Sequence, residues 1–129
     1  MVNNAQQHIN QITNKQHLSY LDISNRDLSG DMNLKEFSNL KTLNSSNNKF
    51  TNWNFLNTLP NKEKLEKINF FGNEIKRVDF SELLKNFPNL KEVNLQNNPL
   101  EGNGLKQLNS QRFSQLVKLV GENKIKINS

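Results

Sequence analysis

Eleven residues at 90–100, LKEVNLQNNPL, place apolar side chains at the first, fourth, sixth and eleventh positions and an asparagine at the ninth: Leu90, Val93, Leu95, Leu100 and Asn98. The same frame recurs three times upstream. Residues 65–75 read LEKINFFGNEI, with Leu65, Ile68, Phe70, Asn73 and Ile75 in those slots. Residues 40–50 read LKTLNSSNNKF, with Leu40, Leu43, Ser45, Asn48 and Phe50. Residues 18–28 read LSYLDISNRDL, with Leu18, Leu21, Ile23, Arg26 and Leu28. The windows start at 18, 40, 65 and 90, at steps of 22, 25 and 25 residues. A single match means little in a chain rich in Leu and Asn, but matches held in phase mean an array.

The spacing dictates a shape. Apolar residues in the fourth and sixth slots, one residue apart, have the period of a short strand with one buried face. The windows therefore predict strands at 20–24, 42–46, 67–71 and 92–96. A single window cannot bury its apolar set alone, so neighbours stack and their strands pair in parallel. The ninth slot has a backbone reason. Where the chain leaves the strand it turns sharply, and its buried N–H and C=O groups need partners. An inward asparagine amide offers two donors and two acceptor lone pairs, so Asn48, Asn73 and Asn98 are expected to form a structural ladder. Arg26 breaks that column in the first window and is expected to face solvent. Ser45 puts a hydroxyl in a core slot, where it needs a backbone acceptor.

The pattern L-x-x-L-x-L-x-x-N-x-L resembles the leucine-rich repeat family over about residues 18–100. The resemblance implies an α/β fold: a short solenoid with a curved parallel sheet of about four strands and helical caps at both ends. It divides a single domain, 1–129, into an N-terminal cap (1–17), repeats at 18–39, 40–64, 65–89 and 90–109, and a C-terminal cap (110–129). It also implies a non-catalytic scaffold that binds another protein through the concave sheet and its adjacent loops. That functional step is analogy at the level of fold.

The flanks fit caps. Ala5, Ile9 and Ile12 have helical spacing, with Asn3 or Asn4 available as N-cap and residues 14–17 as the exit. The three-residue apolar spacing extends backward from two windows, which gives Phe37 and Phe87 equivalent places. Residues 81–87, SELLKNF, read as a short helix capped by Ser81. The insert TNWNFLNTLPNKEK departs most from the frame, and its apolar members are Trp53, Phe55, Leu56 and Leu59. Leu105 and Leu108 are expected to close the last segment. Ser110 then caps a helix to Val120 with Phe113, Leu116, Val117 and Val120 on one face and Gly121 at its end. Residues 124–127 alternate like a final short strand.

Only 33% of the 129 residues are apolar, a polarity that alone would allow disorder. Those residues fall in register, which argues for a core. There is no Cys, hence no disulfide framework or thiolate metal site. No apolar run reaches the roughly 20 residues of a membrane span, and the first residues lack a signal peptide pattern. A cytoplasmic location is the expectation. Asn44-Ser45-Ser46 fits a glycosylation sequon but falls within a strand. A net charge of +5 raises an alternative, an RNA- or phosphate-binding surface. The lysines are scattered over connecting segments, however, with no basic run and no interleaved aromatics. A further alternative is a piece of a larger multidomain receptor or effector.

Chemistry is sparse. His8 and His17 both lie in the N-terminal cap. Asp22, Asp27 and Asp31 lack the spacing of a calcium loop. No P-loop, nucleophile elbow or paired-carboxylate motif is present. No enzyme activity and no cofactor or metal is expected, and the candidate site is the concave face. Its third-slot column is Tyr20, Thr42, Lys67 and Glu92. The fifth-slot column is Asp22, Asn44, Asn69 and Asn94, and the seventh is Ser24, Ser46, Phe71 and Gln96. Tyr20 and Phe71 stand out as aromatics facing solvent. Strands about 4.8 Å apart give a floor of roughly 300 Å², against about 800 Å² per partner in a standard interface. Loop residues such as Trp53 are therefore expected to contribute, unless the domain continues into a longer array.

Overall fold

A computed structural model describes residues 3–101 together with 105 and 106. It is mixed α/β, with parallel sheets and few helices. In chain order the elements are β1 (Asn3–Asn4), α1 (Ala5–Asn10), β2 (Tyr20–Asp22), β3 (Leu28–Ser29), β4 (Thr42–Asn44), β5 (Lys67–Asn69), β6 (Val78–Asp79), α2 (Phe80–Asn86), β7 (Glu92–Asn94) and β8 (Leu105–Lys106). Short 3₁₀ turns lie at Lys15–His17, Asn54–Thr58 and Lys62–Lys64. Among the described residues no helix is long and apolar enough to cross a membrane.

The central sheet has the order β2-β4-β5-β7. Its register aligns the fourth slots, Leu21 with Leu43, Leu43 with Ile68, and Ile68 with Val93. All four are buried, and each such side chain contributes about 1.5–3 kcal/mol by leaving water. The alternation of the strand then turns the third and fifth slots to the opposite, polar face. Two further parallel pairs, β1 with β3 and β6 with β8, have no counterpart in the apolar spacing.

Each central strand is three residues long, not five. The side chain in the fifth slot ends it. Asp22 Oδ1 accepts from the N–H of Ser24 at 3.0 Å, Asn44 Oδ1 from Ser46 at 3.1 Å, Asn69 Oδ1 from Phe71 at 2.9 Å and Asn94 Oδ1 from Gln96 at 3.0 Å. Such Asx turns offer the backbone an alternative to the ladder. The eighth slot then enters the left-handed region at Asn25 (φ 58°), Asn47 (56°), Gly72 (71°) and Asn97 (59°). These are the residue types that tolerate it.

After that turn the ninth-slot asparagines point inward. Asn73 Oδ1 accepts from the Phe50 N–H at 3.1 Å, while its Nδ2 donates to the carbonyls of Ser45 at 2.9 Å and Phe70 at 3.1 Å. Asn98 makes the corresponding bonds to Ile75, Phe70 and Leu95. Asn48 reaches across to the first window, accepting from Arg26 and Leu28 and donating to Ile23 and Ser45. Arg26 is exposed, and its carbonyl accepts from Asn3 Nδ2 at 2.7 Å. Ser45 departs from expectation. Its hydroxyl is fully buried and makes no hydrogen bond, because the nearby asparagine donors bond the Ser45 carbonyl instead.

At the N-terminal end Asn4 caps α1 by accepting from the Gln7 N–H at 2.9 Å. Ala5 and Ile9 are buried, and Ile12 packs on the core from beyond the helix. Phe37 and Phe87 are both buried. Helix α2 begins at Phe80, and its cap is Asp79, not Ser81: Asp79 Oδ1 accepts from the Glu82 N–H at 3.0 Å. The insert is part of the core. Phe50, Trp53 and Phe55 surround Phe70 with ring centroids 5.5–6.3 Å from it. Trp53 is thus buried and does not stand out from a loop as a binding residue. The expected helix at 110–120 and strand at 124–127 lie outside the described residues, as does Leu108.

Candidate binding face

The polar face of the central sheet carries the third- and fifth-slot side chains side by side. Tyr20 is 51% exposed and is, among the described residues, the exposed large hydrophobic. Thr42, Asn44, Asn69, Glu92 and Asn94 are half-buried, and Lys67 is exposed. Lys67 Nζ lies 3.6 Å from Glu92 Oε2, a cross-strand ion pair. Both members are about half exposed, so the pair contributes little. Between these side chains lies a depression of about 190 Å³, lined by Tyr20, Thr42, Asn44, Lys67, Asn69 and Glu92 among others.

The seventh slot belongs to the turn, not to the strand. Ser24 and Ser46 direct their hydroxyls back to Asp22 Oδ1 at 2.6 Å and Asn44 Oδ1 at 2.9 Å. Gln96 and Phe71 are half-buried, so Phe71 is not the open aromatic that the alternation implied. The structure thus brings together Tyr20, Asp22, Thr42, Asn44, Lys67, Asn69, Glu92 and Asn94, and sets Phe71 and Gln96 at the rim.

Electrostatics follow the same geometry. The Ser24 hydroxyl and N–H hold the Asp22 carboxyl below the usual carboxylate range, with Arg26 assisting weakly. In the N-terminal segment, burial and then Arg26 hold the His8 imidazole below its ordinary value. Other charges pair along the strands: Lys91 with Glu66, Lys49 with Glu74 and Arg77 with Glu101, at 3.4–3.9 Å. Among the described residues no group of three or more His, Cys, Asp or Glu side chains could hold a metal ion.

Sequence reasoning missed a larger cleft of about 340 Å³ between the Asn54–Thr58 turn and α2, where Trp53, Leu56 and Leu83 meet Arg77, Asp79 and Glu82. Size alone would favour it over the polar face. Its polar groups are already bonded within the chain, however. Asp79 caps α2, Arg77 pairs with Glu101, and Asn86 Nδ2 donates to Asn57 Oδ1 at 3.4 Å. The polar face is the reverse. The Nδ2 groups of Asn69 and Asn94 have no partner among the described residues, and that of Asn44 only a 3.4 Å bond to the Tyr20 hydroxyl. The sequence signal for it was the fifth-slot column itself, read through its spare donors. No protein-family model, no curated protein and no solved structure matches the chain.

Proposed function

We propose that this chain is a leucine-rich repeat protein, a short solenoid whose polar, concave sheet face binds another protein without catalysis. The windows held in register across β2, β4, β5 and β7 support the fold part of this proposal, as does the asparagine column that bonds each turn to the one before. A single observation carries the functional part. The face presents half-buried amide donors, with no intramolecular partner for Asn69 and Asn94, around a shallow depression. Buried polar groups are ordinarily satisfied, and a partner surface satisfies these. The nucleic-acid alternative draws no such support, because five of the basic side chains lie 3.4–3.9 Å from carboxylates.

The test is capture of a partner from the protein's own cell extract by the wild-type chain and by Thr42→Arg, which fills the depression with a long cation. The variant is expected to melt at the wild-type temperature and to lose the partner. Equal recovery by both would move the binding surface off this face.

A further inference from the structure

We propose that the segment lying on this face is an acidic α-helix crossing the strands, its Glu side chains accepting from Asn44, Asn69 and Asn94. The proposal rests on the interaction-face reading above and names the partner's chemistry. It begins with amide orientation. In each of the three residues Oδ1 accepts from a backbone N–H two residues on, at 2.9–3.1 Å. A backbone N–H only donates, so the amides cannot turn over. Each is fixed with Nδ2 outward. The row is therefore a set of donors without matching acceptors, one per strand, and it selects acceptors.

Spacing then selects the secondary structure. Neighbouring strands lie about 4.8 Å apart, so donors on β4, β5 and β7 span about 9.6 Å. Residues i, i+3 and i+7 of an α-helix lie on one face and span about 10.5 Å. An extended chain offers same-face side chains about 6.8 Å apart, or about 13.6 Å over three, and falls out of step. Charge selects carboxylates over neutral amides. The chain is +5 overall, and hydrogen bonds to ionised acceptors are roughly twice as strong as neutral ones. Glu92, the nearest carboxylate to the row, is paired with Lys67.

The fourth strand supplies polarity. Asp22 occupies the same slot on β2 and holds the same turn with Ser24, but presents a carboxylate oxygen where the others present N–H. The helix therefore carries Lys or Arg one turn from its first Glu, over Asp22. Tyr20 stands beside that position, exposed.

Asp22 also provides the test. It shows that Asp in this slot keeps the turn, so Asn69→Asp with Asn94→Asp inverts the outward chemistry and leaves the fold. The probes are three labelled Ala-based helical peptides, each with one Arg followed by three Glu, three Gln or three Lys at i, i+3 and i+7. They are titrated against the full chain by fluorescence anisotropy at physiological salt. The Glu peptide is expected to bind at least about tenfold more tightly than the Lys peptide, and the double variant to lose at least about tenfold for Glu. Unchanged Glu binding by the double variant, equal binding of Glu and Lys peptides, or no Glu binding up to about 1 mM would each overturn the proposal. Should Thr42→Arg still abolish partner capture, the interaction face would stand without the helix. Should it not, the face itself would fall.

Discussion

Two asparagine columns run through this molecule four residues apart, and they do opposite things. Asn48, Asn73 and Asn98 point inward, and both ends of each amide are bonded to the chain. Asn44, Asn69 and Asn94 point outward, and only Oδ1 is held strongly. Residue type, periodicity and hydrogen-bonding capacity are the same. The difference lies in what remains after the chain has satisfied itself. The inner column has nothing left over and holds turns together, whereas the outer column has donors left over and can recognise something.

The inner column should be the more sensitive by far. Asn73→Ala would leave the Phe50 N–H and the Ser45 and Phe70 carbonyls without their side-chain partner in a dry interior. A loss of about 2–3 kcal/mol is expected in chemical denaturation. Asn73→Asp should be worse, about 3–5 kcal/mol, since it adds an uncompensated buried charge that faces two carbonyls. Wild-type stability in either variant would mean that the inner amides do not hold the turns.

Much of this was legible in the windows. The fourth-slot alignment of Leu21, Leu43, Ile68 and Val93 follows from period two and the need to stack. The inward Asn column follows from the hydrogen bonds a sharp turn must make. What was not legible involves side chains that bond their own backbone. Strand length was overestimated because Asn69 captures the Phe71 N–H, which no apolar pattern reveals. Asp79 caps α2 two residues before the expected Ser81, although the Asp79 and Glu82 spacing was a usable signal. Trp53 was placed on the surface because the insert breaks the frame, yet its ring packs beside Phe70 at 5.5 Å. The outer column was identified as polar, but which amide atoms remain free depends on coordinates.

The turn between the columns lets them face opposite ways. Gly72, in the eighth slot, has φ 71°, and a Cβ there would come within 2.5 Å of Asn47 Oδ1. Gly72→Ala should cost about 1–2 kcal/mol from the left-handed backbone. Gly72→Asn should cost less, because asparagine already holds this slot in the other windows and the flexible Asn47 side chain can yield. Equal melting temperatures for the two variants would refute the backbone explanation. Ser45 offers the opposite sign. Its buried hydroxyl lacks a partner, so Ser45→Ala should raise stability by about 1 kcal/mol. A drop in melting temperature would show that the hydroxyl is satisfied after all.

The smallest effect is expected where the sequence change looks as severe as at Asn73. Asn69→Asp also converts an asparagine to aspartate, three positions before Gly72 and four before Asn73. Here the new carboxylate is half-buried on an open face and keeps the Phe71 N–H as a hydrogen-bond donor. Asp22 already holds the corresponding position on β2, with its carboxyl lowered by the Ser24 hydrogen bonds. Stability at neutral pH should therefore change by no more than about 0.5 kcal/mol. The sign of its pH dependence is fixed as well. A carboxyl held below its unfolded value contributes stability above that value, which is lost as pH falls through the folded one. Asn69→Asp should accordingly match wild type at neutral pH and fall behind it on acidification, followed by melting at pH steps from neutral to about 3. A large loss at neutral pH would place Asn69 with the inner column and remove the contrast between the two.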